Sequence, residues 1–365
     1  MVLNRGKGTD VSGRLSWSDR FGGLLGNYVR NVKGLTMTRN GNFKRRVRAR
    51  AAKTGESYTA ALHHIRQPST KLAIHAIRLA VAQTSLFEDP RDKSALRASG
   101  TELRALMMAA HRAGARVIHF PEGATCSPNK RLMSESGPKE IGPSDWGRYE
   151  WATLRSELAA TSELARKLKL WTVLGSVHQL TPPHRPHNSL YVISDCGRLV
   201  TRYDERMLSN TKISFMYSPG KFPVTFEVDG VRFGCALGME SHYPELFTEY
   251  ERLEADCVLF STTGESPSAA PAFAAEVLGH AASNTYWVSY SAHAPQSVAI
   301  PAGIASPDGR WAAQCAADGS TSISVTDVTI DREHPARPWR RSARADLYAP
   351  HQVVGDVRSD SRDQF

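Results

Sequence analysis

Beyond Ile74 the hydrophobic positions follow two alternating periods: short apolar runs bounded by turn residues, and longer stretches with an apolar stripe at helical spacing. The run Ile77 to Gln83 predicts a first strand. Residues 93–113 predict a helix whose stripe is Leu103, Leu106, Met107 and Ala110. Val117 to Phe120 predicts a second strand that ends in Pro121-Glu122-Gly123. A long helix is expected over 145–169 and a strand from Trp171 to His178. Two hairpins follow, one around Cys196-Gly197 and one around Asp229-Gly230, a tight-turn pair. A helix after Pro244, a strand from Asp256 to Phe260, a helix over 269–283, a strand from Trp287 to Ser291 and two late strands around Gly309 complete the reading. Hairpins mixed with strand–helix units predict an α/β fold with mixed sheets and helices outside them. No internal repeat appears at solenoid periods.

Upstream the pattern differs. Residues 1–42 have little periodicity and read as a disordered arm. In 43–68, Phe43, Val47 and Ala51 fall at helical spacing. Thr54-Gly55-Glu56-Ser57 breaks the run, and Tyr58, Ala61, Leu62 and Ile65 resume it. This basic hairpin resembles the helical half of ribbon–helix–helix DNA-binding modules, which implies nucleic acid as a partner of residues 1–66. The main domain is then expected over 69–330, with a C-terminal arm over 331–365.

Charge sharpens this division. Residues 1–70 hold fourteen Lys and Arg against three acids, a net +11 in a chain of formal charge +10, so the remainder is near neutral at −1. An anionic partner, if there is one, is expected on the arm. The five cysteines, Cys126, Cys196, Cys235, Cys257 and Cys315, show no metal-ligand spacing and read as free thiols in a reducing, cytoplasmic setting. An Arg-rich, acid-poor start is the pattern of a mitochondrial transit peptide, which is the alternative location. No apolar run reaches the roughly 18 residues that span a bilayer. Neither a metal nor a cofactor is expected.

One run carries most of the chemistry: Phe233-Gly234-Cys235-Ala236-Leu237-Gly238-Met239-Glu240-Ser241-His242-Tyr243-Pro244-Glu245-Leu246. It reads as a buried strand, a sharp turn and the opening of a helix, the geometry that lifts a nucleophile out of a sheet. It resembles the nucleophile turn of the nitrilase, or carbon–nitrogen hydrolase, superfamily. There the order is Cys-aromatic-acid, three residues, then Pro-Glu-Leu. The rest of the chain resembles the family in order: Val81-Ala82-Gln83, Phe120-Pro121-Glu122-Gly123, the segment Gly197 to Leu208, Tyr217-Ser218-Pro219-Gly220, and an arm from Trp339 to Tyr348. The resemblance implies an α-β-β-α sandwich and a homodimer or higher homo-oligomer. It also implies a reaction in which a glutamate deprotonates a cysteine thiol, the thiolate attacks an amide or nitrile carbon, and a lysine stabilises the oxyanion.

Carried over position by position, Glu122 matches the general base, but the cysteine position is Gly238 and the lysine position is Glu205. Glu122, Glu205 and Glu240 are expected to crowd one pocket and favour a cationic ligand. Arg206 is expected to face away from it. Lys212, in the following loop, folds back only on a speculative reading. Met239, Glu240, Ser261, Thr262 and Thr263 are the expected ligand contacts. Cys126 and Cys235 are the alternative nucleophiles, and Ser241 reads as a helix N-cap. The expected function is a nitrilase-type pseudoenzyme that binds a small amide, acid or amine. The alternatives are an amidase with a relocated thiol and a regulatory scaffold whose arm meets nucleic acid or an acidic partner.

Overall fold

The computed structural model describes residues 76–264, 272–331 and 334–361, with scattered positions between 44 and 58. The chain divides into two units, Met1–Ala73 and Ile74–Phe365. Those positions of 44–52 that are described are helical. The rest of the arm and hairpin expected over 1–68 lies outside the described residues.

The second unit contains two six-stranded sheets. In the first, the order is β12 (Ser322–Thr329), β1 (Ala76–Gln83), β2 (Val117–His119), β3 (Trp171–His178), β4 (His187–Ile193) and β5 (Leu199–Asp204). In the second it is β6 (Thr225–Val228), β7 (Val231–Leu237), β8 (Cys257–Ser261), β9 (Trp287–Ser291), β10 (Gly303–Ala305) and β11 (Trp311–Gln314). Each has a parallel triplet at its heart, β1-β2-β3 and β7-β8-β9. Each triplet is flanked by one antiparallel strand on one side and two on the other. The second sheet therefore repeats the topology of the first, a repeat that sequence periodicity does not reveal.

The helices fill the crossovers that parallel pairing demands: α1 (Lys93–Arg112) and α2 (Trp151–Leu168) in the first half, α3 (Pro244–Arg252) and α4 (Ala272–Asn284) in the second. Asp92 caps α1 by accepting from the amides of Ser94 and Ala95. The helix expected from 145 begins only at Trp151. A short 3-10 turn, Trp146–Arg148, precedes it.

Alternation along each strand assigns the layers. On β1, Ile77, Leu79 and Val81 join Val117 and Val173 against Phe233, Cys235, Leu237 and Leu259 of the opposite sheet. Ala80 and Ala82 face Leu103, Met107 and Ala110 of α1. On the far side, Ala236, Val258 and Phe260 face Phe247, Val277 and Ala281 of α3 and α4. The result is an α-β-β-α sandwich within one chain, with strands buried on both faces, as parallel strands usually are.

Two elements of eight or more residues were missing from the sequence reading. β12, Ser-Ile-Ser-Val-Thr-Asp-Val-Thr, pairs along the whole of β1. Its polar alternation suits an edge strand. A helix α5 (Ala336–Arg344) forms in the segment expected to be an arm. It packs on its own chain: Arg341 Nε and Arg344 Nη1 donate to Glu251 at 2.7 and 3.0 Å, and Arg337 Nη2 donates to the Ala255 carbonyl at 2.7 Å. Among the described residues no helix is long and apolar enough to cross a membrane.

Candidate functional site

The site forms where strand ends of both sheets meet. Glu122 follows β2 on a turn that must pass close to β3. Gly175 of β3 permits this, because a Cβ there would press into the Pro121 carbonyl and stand 2.9 Å from Glu122 Cα. Asn188 lies at the start of β4 and Glu205 just past the end of β5. The antiparallel pairing Ser189↔Asp204 sets them side by side, and the Glu205 amide donates to the Asn188 carbonyl at 2.9 Å. Lys212 opens a π-helical turn, Lys212–Met216. Gly238 follows β7, and Thr262 and Thr263 follow β8.

These residues converge on one ammonium. Lys212 Nζ donates to Glu122 Oε1 at 2.5 Å and to Glu205 Oε1 and Oε2 at 3.0 and 2.8 Å. Asn188 Nδ2 bridges the same two carboxyl groups, at 2.9 Å to Glu122 and 2.6 Å to Glu205. The Thr263 amide donates to Glu122 Oε2 at 3.2 Å. Glu122 is 4% exposed and Glu205 1%. Burial, then the Glu122 and Glu240 charges, push Glu205 up to about 8 against the pull of Lys212. Lys212 is also buried, but the two carboxylates outweigh that and hold it above its usual value. Lys212 therefore lies between two carboxyl groups, paired to Glu122 at 2.5 Å and to Glu205 at 2.8 Å.

This corrects the expected pocket in two respects. The lysine position of the motif is a glutamate, yet the site holds a lysine, supplied from seven residues downstream. Glu240 does not join the other carboxylates at the ammonium. It accepts from Tyr203 Oη at 2.6 Å and from the amides of Leu237, Arg206 and Met207 at 2.8, 2.6 and 3.2 Å. It is a fully buried brace beneath the turn, not a ligand contact. Arg206 faces away as expected, with Nη1 2.9 Å from Glu249.

Gly238 has φ +59°. A Cβ built on it would press into Glu205 Oε1 and stand 2.8 Å from Lys212 Nζ. The space a side chain would occupy here is taken by the Lys212–Glu205 pair.

A cavity of about 650 Å³ opens beside this centre, and its lining includes Glu122, Lys212, Gly238, Met239, Thr262 and Thr263. Ser261 is not among them. It lies at the end of β8 between the sheets, 2.7 Å from His119 Nε2, and donates to the Phe120 carbonyl at 2.8 Å. That corrects its expected role as a ligand contact.

The alternative nucleophiles are corrected likewise. Cys126 and Cys235 are fully buried among apolar side chains, and burial pushes both thiols far up. Neither lines the cavity, and a thiol that does not ionise is not a nucleophile. Ser241 is not a helix cap either. Its Oγ and His242 Nδ1 each bond Glu276, both at 2.6 Å, and not each other. Asn188 and Gly175 escaped sequence reasoning, since neither stands in a motif. The only sign of Lys212 was a basic residue soon after the lysine segment.

Residues 78–338 match the carbon–nitrogen hydrolase family. The chain belongs to that family. Among solved structures, the chain is similar to an amidase from Nesterenkonia, with 14% identity over 72% of this chain and 97% of the amidase, TM-score 0.55. It is similar to Nit3 of Saccharomyces cerevisiae, with 16% identity over 76% of this chain and 97% of Nit3, TM-score 0.57. It also resembles a glutamine-dependent NAD+ synthetase from Acinetobacter baumannii, with 16% identity over 71% of this chain and 46% of the synthetase, TM-score 0.56. At such identities the likeness is one of fold. No curated protein matches the sequence.

Chemically, the site offers two carboxyl groups gathered on one ammonium. Both Glu122 oxygens already accept hydrogen bonds. Among the described residues, no cysteine faces the cavity.

Proposed function

We propose that this family member binds a small amide, acid or amine in the 650 Å³ cavity and does not perform the Glu-Lys-Cys hydrolysis of its family. The observation that carries the reading is Gly238. The nucleophile position has no side chain, and Glu205 and Lys212 occupy the space a cysteine would need. In one structure of the Nesterenkonia amidase, the acetamide moiety of fluoroacetamide is added covalently at the active-site cysteine. Nothing equivalent has a partner atom here.

A second support is the state of Glu122. A general base must accept a proton. Among the described residues, no cysteine lines the cavity for Glu122 to deprotonate.

The test is intact-mass spectrometry after incubation with a panel of small amides and nitriles, alongside ammonia release. Unchanged mass and no ammonia are expected. An acyl adduct on any cysteine would overturn the reading in favour of a relocated nucleophile.

Two further proposals concern assembly. A homodimer is proposed from the family resemblance, and an anionic partner, nucleic acid included, from the +11 charge of residues 1–70. Sedimentation tests the first. Salt-dependent gel shifts with and without residues 1–68 test the second.

A further inference from the structure

Five charged side chains line the cavity among the described residues: Glu88, Glu122, Lys130, Arg131 and Lys212. Four have firm partners. Glu122 and Lys212 hold each other, and Glu88 accepts from Asn129 Nδ2 at 2.9 Å. The Arg131 guanidinium is engaged by the Lys139 carbonyl at 2.8 Å.

Lys130 has a single partner: among the described residues its ammonium donates to Thr211 Oγ1 at 3.0 Å and, like Arg131, it forms no ion pair. Burial, then the like charge of Lys212, pull it below its ordinary value against the opposing pull of Glu122 and Glu205. An ammonium drawn out of water beside one neutral hydroxyl is under-compensated, and an anion beside it would recover part of that cost. Leu86, Met216 and Met239 add apolar wall to the same cavity.

We infer that the cavity selects a small organic monocarboxylate, with the carboxylate paired to Lys130 and the carbon chain against the apolar wall. One ammonium with one hydrogen-bond partner suits a monoanion better than a phosphate dianion. This rests on the cavity being a binding site, as proposed above, and it narrows the earlier choice of amide, acid or amine to the acid.

Calorimetric titration of the full-length chain tests it, with acetate, butyrate and benzoate set against acetamide, butyramide, benzamide and butylamine. The carboxylates are expected to bind at least about tenfold more tightly than amides of the same shape, the loss typical of one charge-assisted hydrogen bond. Lys130→Met should abolish that preference and Lys130→Arg should keep it, with thermal unfolding confirming that both fold. Lys130→Gln serves as a second charge-removing variant, and the wild-type comparison stands without any variant. Equal affinity for acids and amides would overturn the inference. So would tighter binding of butylamine, an unchanged preference in folded Lys130→Met, or binding of none of the probes. The readout is affinity and not turnover, so an acyl adduct would count against the loss of hydrolysis alone.

Discussion

Lys212 Nζ lies 2.5 Å from Glu122 Oε1, although ninety positions separate the two residues in the chain. The pair is buried, with side-chain exposures of 13% and 5%. Its energetic role is therefore asymmetric. Keeping both partners is close to neutral, and removing one is costly, because the survivor stays buried without its counter-charge. Lys212→Met should destabilise the fold by about 3–5 kcal/mol. Lys212→Met combined with Glu122→Gln should recover a substantial part. Urea unfolding of the two variants measures the difference. Equal destabilisation would show that the pair does not hold the site together.

Glu205 should leave a signature in pH. Its carboxyl stands near 8 in the fold against an ordinary 4.5. Between those values the native state keeps a proton that the unfolded chain has lost. Stability should therefore fall as pH rises through that window and level off above about 8. Glu205→Gln removes this group from the balance and should flatten the slope. Denaturation midpoints at pH 5, 6, 7 and 8 for both proteins decide it. Lys212, raised in the fold, acts in a separate window, losing its contribution only above its ordinary 10.5.

Gly238 should resist any side chain. Its left-handed backbone alone makes Gly238→Ala cost about 1–2 kcal/mol, and the contact with Glu205 adds to this. In a Glu205→Ala background the contact is gone, so the same substitution should cost less. A double-mutant cycle on thermal stability reads the coupling. Strict additivity would mean that backbone strain, and not the occupied space, keeps glycine there. By the same reasoning Gly238→Cys should gain no acyl adduct with butyramide.

Helix α5 supplies an independent check on the architecture. Glu251 is 1% exposed and accepts from both Arg341 and Arg344. Each such charged hydrogen bond contributes about 1.5–3 kcal/mol. Glu251→Ala should therefore destabilise more than Arg341→Ala, whose side chain is 37% exposed. Chemical unfolding of the two variants compares them. The reverse order would mean that the helix is not anchored through Glu251.

Much of the fold was legible because it is written in local periods. The β1 run, the α1 stripe of Leu103, Leu106, Met107 and Ala110, and the Asp229-Gly230 turn each depend on neighbouring residues and on burial. These are properties a single stretch of chain carries. β12 was missed because an edge strand with one polar face, Ser322 to Thr329, lacks the apolar density that marked the others. α5 was missed because its arginines are held by acids on α3 and the segment beyond it, which its own sequence does not contain.

The sequence by itself determined the sandwich, the Glu122 turn, the glycine where a nucleophile would stand and the glutamate at the lysine position. The strands, helices and turns rest on short-range order along the backbone, whereas the sandwich and the two substituted positions rest on the resemblance of the ordered motifs to the family. Only the tertiary structure decided that Lys212 fills the vacant charge position, that Asn188 bridges Glu122 and Glu205, and that Glu240 turns away to Tyr203. It alone showed that Cys126 and Cys235 are buried away from the cavity. These outcomes depend on which strand ends the two sheets bring together, and on side chains reaching across them. Distance along the chain carries no record of either.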